Sequence, residues 1–123
     1  PIEEDKPTGG LTFTELSGSQ YTTPTANSTW EDWDLSGIIG EGAKYALFGV
    51  YGFGTYGSVQ VGIRKNGSTV PRYQWRQSYA KPADVVINNT VAMISGVDEN
   101  RVVEIWAYGN WNGIRIQIFG YWS

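Results

Sequence analysis

The feature of this sequence that most constrains its fold is a period-two alternation of apolar and polar residues, in segments bounded by glycine and asparagine. Residues 58–64 and 114–119 both show it. Because successive side chains of a β-strand point to opposite faces of a sheet, the pattern predicts strands with one buried face. No segment repeats apolar residues at helical spacing for three turns, and 16 glycines disfavour helices further. The sequence therefore predicts an all-β chain.

The expected strands are short and are separated by turn residues, at spacings of about 8–12 residues. They are residues 11–16, 30–35, 44–53, 58–64, 70–75, 85–94, 101–108 and 114–121. About eight such strands predict an antiparallel β-sandwich of jelly-roll type.

Two asparagine-glycine pairs predict turns between these strands. Asn66-Gly67 predicts a tight type I′ hairpin turn, because both residues tolerate a positive φ. Asn112-Gly113 is expected to join the last two strands into an antiparallel hairpin.

The chain of 123 residues has the length of one domain. We expect residues 11–123 to form it and residues 1–10, with two prolines and two glycines, to be a flexible tail or linker. The start at Pro1 indicates processing, or a piece of a longer protein. No apolar run has the length of a membrane span, so membrane insertion is not expected.

The composition excludes several catalytic and metal-binding chemistries. The sequence contains no histidine and no cysteine, which removes Ser-His-Asp triads, Cys-His pairs and thiolate metal sites. The acidic cluster of Glu31, Asp32 and Asp34 could supply a glycosidase pair or oxygen ligands for Ca²⁺. An exposed acidic edge is the favoured interpretation. We therefore expect a protein that is not an enzyme and has no cofactor and no metal site.

Aromatic residues, which include six Trp and eight Tyr, are abundant. Aromatic side chains next to arginines are typical of surfaces that bind glycans or partner proteins. The predicted ligand-binding residues are Tyr73, Trp75, Arg76, Tyr79 and Trp111. The alternative is that these rings cover the core and the cations lie over them. A sequence pI near 4.8 argues against a nucleic-acid partner.

The segment 44–53 is apolar on both faces of its predicted strand. A strand of this kind lies inside a sandwich or at a subunit contact, since an apolar outer face is unfavourable on a monomer. The closing segment 119–122, Phe-Gly-Tyr-Trp, is similarly aromatic. Both segments predict self-association.

Residues 30–68 contain three short motifs, Asp34-Leu35-Ser36, Gly42-Ala43-Lys44 and Ile63-Arg64-Lys65-Asn66-Gly67. Together they resemble a pattern in C-terminal β-sandwich domains of phage tail and other virion surface proteins. The resemblance implies a homo-oligomer, with a trimer favoured, that serves as a structural cap or receptor-binding tip and carries no catalytic residues.

The expected function is accordingly that of a non-catalytic virion structural or receptor-binding domain. Its expected partners are further copies of itself and either a cell-surface polysaccharide or another virion protein. The alternative is a carbohydrate-binding module appended to a secreted enzyme. Either function places the protein on a virion surface or outside the cell.

Overall fold

A computed structural model of the chain describes residues 10–17, 20–54, 57–69, 73–79, 87–109 and 113–123, with 52–54, 57–59, 73–79 and 87–91 described by their backbone only. Every regular element in this part of the chain is a strand. The strands are β1 (Phe13–Glu15), β2 (Tyr21–Thr22), β3 (Glu31–Asp34), β4 (Tyr45–Gly54), β5 (Gly57–Lys65), β6 (Tyr73–Tyr79), β7 (Ile87–Gly96), β8 (Val102–Gly109) and β9 (Gly113–Trp122). A search of these residues finds no helix with the length and hydropathy needed to cross a membrane. The tail predicted for residues 1–10 lies, apart from Gly10, outside the described residues.

The strands form two antiparallel sheets. Sheet A has the order β1-β9-β4-β7, and β2 pairs with β9 as well. Sheet B has the order β3-β8-β5-β6. Buried side chains of both sheets form one hydrophobic cluster between them. The predicted all-β antiparallel β-sandwich is confirmed.

The strand pairs are nested along the chain. The pair β5–β6 lies within β4–β7, which lies within β3–β8, and β1 and β2 pair with the last strand, β9. This order is compatible with the predicted jelly roll. The jelly-roll topology stays a prediction, because the connecting residues 70–72, 80–86 and 110–112 lie outside the described part of the chain.

The core has the side chains that the alternation predicts. Residues with less than 3% of their surface exposed alternate along the central strands of both sheets; they include Ala46, Phe48, Val50, Val61, Ile63, Val103, Ile105, Ala107, Ile114, Ile116 and Ile118. Burial of each larger aliphatic side chain stabilises the fold by about 1.5–3 kcal/mol.

The predicted hairpin of the last two strands is wrong. β8 pairs with β3 and β5 in sheet B, whereas β9 pairs with β1, β2 and β4 in sheet A. The chain changes sheet between Gly109 and Gly113. Each of the two strands thereby has hydrogen-bonded neighbours on both edges, which an isolated hairpin would not provide.

The turn at Asn66-Gly67 also differs from its prediction. Only Gly67 has a positive φ, of 82°, whereas a type I′ turn needs one at both residues. The amide of Ser68 donates to the carbonyl of Lys65 (3.0 Å), so the turn is of type II. β6 starts at Tyr73 and not directly after this turn. Asn66 instead donates through its side chain to Asp98 Oδ2 (2.9 Å).

Candidate functional site

The residues predicted to bind a ligand fall on the edge strand β6 or outside the described residues. Tyr73, Trp75, Arg76 and Tyr79 belong to β6, where they pair in register with Gly62, Val61, Gln60 and Gly57. Trp111 lies outside the described residues. These five residues remain a prediction, and the described side chains form two other surfaces with aromatic character.

The first surface is the outer side of sheet A, opposite the core. We call it the apolar face and define it by Leu11, Phe13, Tyr45, Leu47, Ile94, Phe119 and Trp122. Four of these residues are large and well exposed: Leu11 (46%), Phe13 (41%), Tyr45 (47%) and Ile94 (51%). The strand β4 is thus apolar on both sides, as its sequence predicts.

Two aromatic rings of the apolar face lie directly over glycines. A β-bulge in the pairing of β4 with β9 places the Phe119 ring where a side chain at Gly49 would be. The Phe13 ring covers Gly120 in the same way and packs against Trp122, with ring centroids 4.8 Å apart. The absence of side chains at these glycines allows the rings to lie close to the backbone and keeps the face flat.

A shallow groove of about 250 Å³ crosses the apolar face between Leu11, Tyr45, Ile94 and Trp122. An adjoining depression has charges of both signs, from Lys44 and Lys65 and from Asp98 and Glu99. The surface therefore combines an apolar centre with a rim of mixed charge, which is the usual anatomy of a protein–protein interface.

The second surface lies on the outer side of sheet B. We call it the aromatic row and define it by Trp30, Trp106 and Tyr108. The ring centroids of Trp30 and Trp106 are 6.1 Å apart, and those of Trp106 and Tyr108 are 5.9 Å apart with nearly parallel planes. Offset, nearly parallel rings at these distances attract one another. The three rings therefore form one continuous surface.

A salt bridge holds one end of the aromatic row. The guanidinium carbon of Arg64 lies 3.9 Å from the centroid of the Trp30 ring. Arg64 Nε donates to Glu104 Oε1, and both side chains are less than one fifth exposed. Arg64 is thus held by a cation–π contact and by an ion pair at once.

The structure separates the predicted acidic cluster. Asp32 is exposed on the outer side of sheet B, opposite Glu104 in register, and Asp34 shares that side. Glu31 points the other way and accepts hydrogen bonds from the amides of Thr25 and Ala26 and from the Thr25 hydroxyl. No group of three potential metal ligands occurs within the described residues.

The backbone amide of Ser36 donates to Asp34 Oδ1 (2.9 Å). This bond, followed by one from the Ser36 hydroxyl, holds the pKa of Asp34 below its ordinary value. The guanidinium of Arg101, which donates to the carbonyl of Ser36, lowers this pKa further.

The aromatic row is not among the binding residues predicted from aromatic side chains next to arginines. Its sequence signal is parity: Trp106 and Tyr108 alternate with the apolar residues Val103, Ile105 and Ala107, so they face outward. Trp30 shares the parity of Asp32 and Asp34. Outward aromatic residues on a strand are thus a sequence signal of their own.

The sequence matches no known protein family and none of the curated proteins with which it was compared.

Proposed function

We propose that this chain is a non-catalytic domain of a virion surface protein, which assembles with copies of itself through the apolar face and acts as a structural or receptor-binding part. The observation that carries the proposal is the apolar face itself. Contiguous apolar surface of this kind is unfavourable in water and marks sites of association.

The rim of the apolar face supports a second copy of the chain as the occupant. Lys44 and Lys65 lie close to Asp98 and Glu99 in the adjoining depression. A rim that carries both signs of charge can offer the cations of one copy to the anions of the next copy around a symmetry axis, and opposite charges that meet across an interface favour the correct partner. The resemblance of residues 30–68 to virion domains favours three copies.

Glycan contact is the receptor-binding part of the proposal. The domain would meet a cell-surface polysaccharide, or another virion protein, with a surface that self-assembly leaves accessible. The aromatic row lies on the opposite sheet from the apolar face, so both contacts can be made at once.

Light scattering after gel filtration tests the assembly, with Tyr45→Lys as the variant and Tyr108→Lys as its matched control. The two tyrosines are both 47% exposed, on the outer sides of different sheets. We expect three times the chain mass of 13.6 kDa for the unmodified protein and for Tyr108→Lys, and one chain mass for Tyr45→Lys. Circular dichroism verifies that both variants keep their β-structure.

Either of two results would overturn the proposal. One is an unmodified protein that remains a monomer at all concentrations. The other is an oligomer of unchanged mass in Tyr45→Lys, which would place the contact elsewhere.

A second candidate function is a carbohydrate-binding module attached to a secreted enzyme. The aromatic row favours it, because aromatic rings can stack on the apolar faces of sugar rings. Such a module needs no self-assembly. A monomer that binds a glycan would therefore favour the module, whereas an oligomer that binds a glycan favours the virion domain.

A further inference from the structure

We propose that a groove on the outer side of sheet A, at Arg115, binds the carboxylate of an acidic sugar. Neither self-assembly through the apolar face nor glycan contact at the aromatic row is needed for this binding, so the inference goes beyond the proposed function.

The groove lies where β2, β9 and β4 are neighbours in sheet A, and its volume is about 380 Å³. The described residues that line it are Thr23, Tyr51, Gly113, Ile114 and Arg115. Tyr51 is the partner of Arg115 in register, whereas Tyr45 pairs with Trp122 at the other end of β4, about 20 Å away. The groove is therefore separate from the centre of the apolar face.

The guanidinium group of Arg115 is held by an aromatic ring. Its carbon lies 4.3 Å from the centroid of the Tyr21 ring, and the Arg115 side chain is exposed. A guanidinium that stacks on a ring keeps the N–H groups at its edge, where they can donate to both oxygens of a carboxylate. Contact with Tyr21 thus orders Arg115 without using its hydrogen-bond donors.

The other two arginines with described side chains have their charges satisfied within the protein. Arg64 pairs with Glu104, and Arg101 donates to two backbone carbonyls, at 3.2 and 2.9 Å. Among the described residues, Arg115 has neither an ion pair nor such a carbonyl, and none of the described residues that line the groove is acidic. The charge of Arg115 is therefore available to an anion from solution.

The groups around Arg115 favour a sugar over an acidic peptide. Thr23 contributes a hydroxyl, and Tyr51 contributes a ring and a hydroxyl. An acidic sugar has one carboxylate on a ring with several hydroxyls, and its C–H groups can pack against an aromatic ring. A peptide with several carboxylates would require several cations, whereas the described lining contains one. The groove thus matches a single carboxylate with hydroxyls beside it.

Calorimetric titration at low ionic strength tests the site with hexagalacturonate, hexamannuronate and a hexamer of sialic acid as acidic probes. We expect at least one of them to bind. The methyl ester of that probe keeps the sugar rings but has no negative charge, so it should bind at least tenfold more weakly. Hexaglutamate, as an acidic peptide, should also bind at least tenfold more weakly than the acidic sugar.

Arg115→Gln should lower the affinity for the acidic sugar at least tenfold. Arg115→Lys should restore only part of it, because an ammonium group lacks the planar fork of donors. Lys44→Gln is the matched control, since it removes the same charge from an exposed side chain beside Tyr45, and it should leave the affinity unchanged. Tyr108→Ala, which removes the exposed ring of the aromatic row, should also leave it unchanged. Circular dichroism verifies that the variants keep their β-structure.

Any of four results would overturn the inference: no binding of any acidic probe, equal binding of the methyl ester, equal losses in Arg115→Gln and Lys44→Gln, or tighter binding of hexaglutamate. A loss in Tyr108→Ala with none in Arg115→Gln would overturn it as well, by placing the contact at the aromatic row. Light scattering on the same samples separates this failure from that of the assembly. An oligomer that binds no acidic probe removes the site alone, whereas a monomer that binds one through Arg115 removes the assembly and keeps the site.

Discussion

The outer sides of the two sheets present aromatic rings in different ways. On sheet A, Phe119 and Phe13 lie over Gly49 and Gly120, so their rings form a flat apolar surface close to the backbone. On sheet B, the rings of the aromatic row pack against one another, and a salt bridge and carboxylates lie beside them. Both sheets pack against the same hydrophobic core.

The difference shows how the neighbours of a ring determine what the ring can bind. A ring over a glycine has one side against the backbone and offers its other side to a broad partner, such as a second protein chain. This difference supports the proposed assembly through the apolar face and the proposed glycan contact at the aromatic row.

The largest effect on stability is expected from a side chain placed beneath a ring of the apolar face. In Gly120→Ala the new Cβ would overlap the Phe13 ring and lie 2.6 Å from the backbone carbonyl oxygen of Thr14, which cannot move freely. We expect the free energy of unfolding in urea to fall by about 3 kcal/mol.

Gly37→Ala is the control, since no atom lies within 4 Å of the added Cβ there. Gly49→Ala should have an intermediate effect, because the atoms nearest to its new Cβ belong to the Phe119 side chain, which can shift more easily than backbone. Equal stabilities of Gly120→Ala and Gly37→Ala would show that the ring does not lie over Gly120.

A smaller loss of stability is expected from the salt bridge of sheet B. Glu104→Ala leaves the partly buried guanidinium of Arg64 without its carboxylate, and we expect a loss of about 2 kcal/mol in urea unfolding. Asp32→Ala removes an exposed carboxylate opposite Glu104 and should change the stability little. If the two variants lose the same free energy, the salt bridge does not hold the row.

The smallest effect is expected at the connection between the two sheets, at the start of β8. Burial raises the pKa of Asp98, but hydrogen bonds from Asn66, Val102 and Asn100 outweigh it and hold the pKa below its ordinary value of 3.8. The carboxylate therefore stabilises the fold fully above pH 3.8, and this contribution is lost as the pH falls below that value.

Asp98→Asn should accordingly cost about 1 kcal/mol at pH 7 and reduce the loss of stability on acidification, which thermal melts between pH 7 and pH 2 would measure. A steeper acid dependence in Asp98→Asn than in the unmodified protein would contradict this assignment.

Several elements could be predicted because they depend on neighbours in sequence. Alternation alone indicated that Ile114, Ile116 and Ile118 face the core, and all three are buried. The same reasoning identified β4 as apolar on both sides, which led to the expectation of self-association. The aromatic row could not be predicted in this way, since Trp30 and Trp106 meet only through the pairing of β3 with β8.

The two turn predictions were wrong for the same reason: contacts between residues far apart in sequence decide how the chain continues after a turn. The turn residues Asn112-Gly113 suggested a hairpin, but the neighbours of β8 and β9 were decided by which strands complete each sheet. At Asn66-Gly67 only Gly67 has a positive φ, and the side chain of Asn66 donates to Asp98, 32 residues away in sequence.

The sequence by itself thus determined that the chain is all-β and which residues face inward, because the two-residue period of a strand is a local property. Only the tertiary structure decided which strands are neighbours, and with them the composition of the apolar face and of the aromatic row. Strand pairing joins residues that are far apart along the chain, so no local pattern specifies it.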